Sequence, residues 1–122
     1  MLMPMEMQQS DIARMILAAG LACVFIAFGI DKFLNPVLWV GWIPPWLQGA
    51  NGMSAEAWLP WIGGGEVAAG ILTLIPKRRL QNAGTILIIL FLLAVLPIVG
   101  WNETGIRDIG LLLSAVALLM LL

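Results

Sequence analysis

Four apolar stretches, at about residues 12–34, 54–75, 80–100 and 106–122, take up most of this chain. Each is close to the ~20 residues that an α-helix needs to cross ~30 Å of hydrocarbon. Four such segments in 122 residues leave no amphipathic helix to cover them from water. Apolar residues make up 61% of the sequence and charged residues 11%, too little polar surface for a soluble bundle. The chain therefore reads as an all-α, four-helix transmembrane bundle of up-down topology, a single membrane domain over residues 1–122 whose first partner is the lipid bilayer.

The boundaries have local causes. A Met-rich, partly polar leader ends in Ser10-Asp11, which can cap the first helix before Ile12, and Asn35-Pro36 stops it. Ser54 offers the second cap, Pro60 falls in an early turn, and Pro76 with Lys77, Arg78 and Arg79 closes the segment. Arg14 and the Lys77–Arg79 run fall on one side of the membrane, so the positive-inside rule makes both termini cytoplasmic. All six tryptophans, Trp39, Trp42, Trp46, Trp58, Trp61 and Trp101, fall on the other side as interface anchors. The Trp- and Pro-rich connection from Asn35 to Met53 reads as a segment lying along the outer interface, over the mouth of the bundle.

Composition also narrows the chemistry. No histidine is present and Cys23 is the only cysteine, so the chain by itself offers neither a metal or haem ligand set nor a dithiol. Its charges form no basic stripe that could follow phosphates, which speaks against nucleic acid as a partner. Ala19 to Cys23 resembles a lipoprotein signal, but apolar residues continue through Ile30, and an uncleaved helix with Cys23 buried and inert is expected.

Five charges interrupt the apolar spans. Glu66 lies in the middle of the second, Arg107 and Asp108 must be drawn towards the hydrocarbon if the short fourth is to cross, and Asp31 and Lys32 end the first. Levelling the inner helix ends puts Arg107 roughly 9 Å above Glu66, a gap that long side chains and tilt can close. Buried singly, each charge costs at least ~2.5 kcal/mol, so pairing is expected. Glu66 is the deepest and reads as the furthest from a cation, with Arg107 as its partner. Gly63, Gly64, Gly65 and Gly70 suggest close helix approach, with Gly64/Ala68 and Gly65/Ala69 as small-residue pairs. Phe25, Phe28 and Lys32 share one helical face, which reads as packing.

Gly29-Ile30-Asp31-Lys32-Phe33-Leu34-Asn35-Pro36, the Trp42-Ile43-Pro44-Pro45-Trp46 loop, Gly65-Glu66-Val67-Ala68-Ala69-Gly70 and Arg107-Asp108-Ile109-Gly110-Leu111-Leu112 together resemble the DoxX-like membrane proteins. The resemblance runs from about Arg14 to Leu119. It implies a four-helix membrane bundle whose relatives include subunits of thiosulfate:quinone oxidoreductase and partners of membrane redox systems. Lys32, Glu66 and Arg107 match the family's characteristic polar positions. The resemblance implies no catalytic mechanism for this chain.

The function expected is that of a small subunit or accessory protein of a quinone-linked redox system in a prokaryotic inner membrane. The chain would work as a homo-oligomer or in a larger complex, without an intrinsic cofactor. Lys32 or Arg107 would donate to a quinone carbonyl and Glu66 would exchange the proton. The competing reading is a structural or assembly subunit docked through small-residue faces. A solute carrier is disfavoured, since the spans show no repeat and no broken half-helix pair.

Overall fold

The computed structural model describes residues 9–122, so most of the Met-rich leader lies outside the described residues. Among these the chain is all helical: α1 (Gln9–Leu34), the short α2 (Pro36–Val40), α3 (Ala55–Leu74), α4 (Arg78–Val99) and α5 (Glu103–Leu121), with a single 3-10 turn at Ala50–Gly52. The four long helices correspond to the four apolar segments. Their starts come two or three residues earlier for α1, α4 and α5, because a polar turn precedes the apolar residues of each helix. Ser10 and Asp11 lie inside α1 instead of capping it, and Lys77 before α4 makes no side-chain cap bond. In α5 that turn is built by Asn102, whose side chain accepts from the Gly105 amide at 2.9 Å and donates to the Val99 carbonyl at 2.7 Å.

By length and composition three helices can cross a membrane: α1, α4 and α5. The fourth expected span, α3, is long enough but carries Glu56, Glu66, Pro60 and a Gly63-Gly64-Gly65 run, which lower its hydropathy. Ser54 caps it, accepting from the Ala57 amide at 3.2 Å, and Pro60 leaves the Glu56 carbonyl without its helical donor.

The long helices close a ring, α1 on α3, α3 on α4, α4 on α5 and α5 back on α1. Ala18, Leu21, Phe25, Ala69, Ile88, Leu92, Ala115 and Leu118 fill its centre. Large apolar side chains such as Ile16, Leu90, Leu113 and Met120 face outward. In water such a surface would drive association, whereas lipid satisfies it.

The α1–α3 crossing is tight, as is α3 on α4, where a Cβ on Gly84 would meet the Thr73 amide at 2.6 Å. Val67 and the Gly63 backbone stand where a Cβ on Gly29 would be, and Gly63 faces the Gly29 carbonyl in return. Gly70 meets Ala22 and Ile26 of α1, and Gly65 faces Phe91 of α4. The small-residue contact is thus Gly63 and Gly70, seven residues apart. A Cβ on Gly64 would meet nothing within 4 Å and Ala68 is exposed, so the expected Gly64/Ala68 pair points out of the bundle.

Candidate functional site

Lys32 and Glu66 each lie three residues beyond one of the crossing glycines, Gly29 and Gly63, and so project on the same side of the crossing. Lys32 Nζ stands 2.6 Å from Glu66 Oε1, with the two side chains 10% and 11% exposed. The contact is an ion pair rather than an aligned hydrogen bond, and no other donor serves that oxygen. Glu66 therefore has a cation within reach, and that cation is Lys32 rather than Arg107. The reason is packing: α5 lies on α4 and α1, so Arg107 approaches α1 instead. Its Cζ sits 5.1 Å from the Phe28 ring centroid, and its Nη2 sits 3.4 Å from Asp108 Oδ1.

Asp31 and Lys32 part company because adjacent helical residues face different directions. Asp31 accepts from Asn35 Nδ2 at 2.6 Å and from Trp39 Nε1 at 2.7 Å. These bonds fold α2 back over the end of α1. Trp39 then lies across Lys32, with Nζ 3.9 Å from its ring centroid, and tilts against Phe28 at 5.4 Å. Along one wall a pair of rings, Trp39 and Phe28, separates the pair Glu66–Lys32 from the pair Arg107–Asp108. A cation over an aromatic face is favourable, the more so away from water.

This wall bounds a cavity of about 410 Å³. Lys32, Glu66, Arg107 and Asp108 supply its polar side, Phe25, Phe28, Phe91 and Leu92 its apolar sides, and Trp39, Trp42, Ile43, Pro44 and Trp46 its cover. Of the residues singled out from sequence, four of the five charges line one cavity, and Asp31 stands behind it as the anchor of the cover. Of the tryptophans, Trp39, Trp42 and Trp46 border the cavity, while Trp58, Trp61 and Trp101 do not. Trp61 and Trp101 are largely exposed, and Trp58 buries its Nε1 without a partner. Cys23 is exposed on the outside of α1, which corrects the expected burial: the helix turns Ala22 inward and its neighbour outward.

Phe28 and Asn35 carry more of the site than sequence reasoning assigned them. Phe28 shares the Lys32 face of α1 at helical spacing, a usable signal. Asn35 reads only as a helix stop, and its bond to Asp31 depends on the chain turning there.

No family model, curated protein or solved structure matches this chain. Chemically, the cavity offers ammonium and guanidinium donors and a carboxylate at one edge of an aromatic slot. That arrangement can take a flat, largely apolar molecule with a hydrogen-bond acceptor at its rim. Among the described residues no group of three His, Cys, Asp or Glu could hold a metal ion.

Proposed function

We propose that this chain is a DoxX-like integral membrane protein, four helices crossing in up-down order with both termini cytoplasmic. In this reading it is a small quinone-binding subunit or accessory protein of a redox system in a prokaryotic inner membrane. The observation that carries the proposal is the aromatic slot of about 410 Å³ with Lys32, Glu66 and Arg107 on one side. A quinone ring would lie between Phe28, Phe91 and the tryptophan cover. Lys32 or Arg107 would donate to one carbonyl, and Glu66 would accept or return the proton that accompanies reduction. The electrons would come from and go to partner subunits, within a homo-oligomer or a larger complex.

The test is retention of quinone by protein purified in native lipid discs, read by organic extraction and mass spectrometry, with tryptophan quenching on adding a short-chain benzoquinone or naphthoquinone. One quinone per chain, lost in Arg107→Gln, is the expected result. No retention and no saturable quenching would leave a structural or assembly subunit. Reporter fusions at residue 122 and within residues 41–53 should report opposite sides of the membrane.

A further inference from the structure

A second cavity, of about 550 Å³, opens at the end of the bundle away from the tryptophans. Arg14 of α1 and Arg78 of α4 stand in its wall, above Met15, Ala18 and Leu74. This end also carries Lys77 and Arg79, against which the described residues set one nearby side-chain carboxylate, Asp11, and the terminal carboxylate of Leu122, a residue that lines the cavity. Asp11 pairs with Arg14 at 3.3 Å, with both side chains about one-third exposed. Among the described residues no carboxylate pairs with Arg78. Two guanidiniums from different helices thus share one opening, with an apolar wall directly beneath them.

A soluble anion needs only the cations, whereas a lipid needs the cations and the apolar wall at their foot. We propose that this cavity binds one anionic phospholipid, its phosphate between Arg14 and Arg78 and one acyl chain along Met15, Ala18 and Leu74. The phosphate competes with Asp11 for Arg14. Arg is suited to such a site because its planar fork meets phosphate oxygens in pairs. Basic pockets between spanning helices hold anionic head groups by the same physics. The proposal rests on membrane insertion, whose failure would appear separately as release of the protein from membranes by alkaline carbonate.

The experiment counts lipids bound to the purified full chain by native mass spectrometry, titrating phosphatidylglycerol against phosphatidylcholine of the same acyl chains. The wild type should hold one phosphatidylglycerol at least about tenfold more tightly than phosphatidylcholine. Arg14→Gln/Arg78→Gln should erase that preference, while Lys77→Gln/Arg79→Gln, an equal loss of charge outside the cavity wall, should keep it. Asp11→Asn should raise retention severalfold. Single Arg78→Gln, at an exposed helix start, serves if the double variant misfolds, and should lower retention on its own. Equal loss in the two double variants would reduce the effect to diffuse surface charge and overturn the site. Binding of glycerol phosphate as tight as that of the lipid would overturn it as a lipid site.

Discussion

Gly29 and Gly63 hold α1 and α3 so close that a methyl group on either would stand 2.6 or 2.8 Å from the other's carbonyl oxygen. The polar pair depends on this approach, since Lys32 and Glu66 each follow one of these glycines by three residues. Gly63→Ala should therefore push the helices apart, at a cost of about 1–3 kcal/mol for overpacking. Thermal unfolding in detergent should show the loss, and quinone retention should fall with it. Gly64→Ala, at a position that meets nothing within 4 Å, should be neutral or slightly stabilising. Equal effects of the two would mean that the crossing is not tight.

Removing one partner of the Lys32–Glu66 pair strands the other in an apolar interior. Lys32→Met or Glu66→Gln alone should destabilise strongly, by about 3–5 kcal/mol if the survivor stays charged. The double variant Lys32→Met/Glu66→Gln should recover much of that loss in a thermal-unfolding cycle. The same cycle between Glu66 and Arg107 should give near-additive losses. Strong coupling there would return Arg107 to the role of partner for Glu66.

Trp39 holds α2 over the cavity by an indole hydrogen bond to Asp31. Trp39→Phe keeps a ring over Lys32 and deletes that bond. The expected outcome is local: faster hydrogen exchange and easier proteolysis over residues 41–53, with the global melting temperature little changed. A large global loss would make α2 part of the core.

Cys23 faces outward from α1, so within a bilayer it meets acyl chains. A lipid-soluble maleimide should label it in intact membranes, and a membrane-impermeant one should not. Resistance to both would put Cys23 against another helix or a second copy of the chain.

Much of the bundle was legible because hydrocarbon-length apolar runs and their stops are local properties. Ser54 as a cap, Asn35-Pro36 as a stop and Pro76 with its basic run each act within a few residues. The charges Lys32, Glu66, Arg107 and Asp108 were conspicuous for the same reason, each being costly in an apolar helix wherever it points. Their pairing was not legible. Levelling helix ends compares heights along the axes and carries no information on which helices touch, and that height argument chose Arg107 for Glu66.

The sequence alone determined the helices, their approximate ends and which charges interrupt them, because spacing, capping and the cost of desolvation act within one segment. That Lys32, Glu66 and Asp108 are buried while Arg107 stays exposed was settled by packing. Only the tertiary structure decided that Gly63 and Gly70, rather than Gly64 and Ala68, meet α1. It likewise decided that Lys32 is the partner of Glu66, that Trp39 closes back on Asp31, and that Cys23 turns outward. Each of these depends on the rotation of a helix about its own axis and on its neighbours in the ring, both settled by side-chain packing between segments distant in the chain.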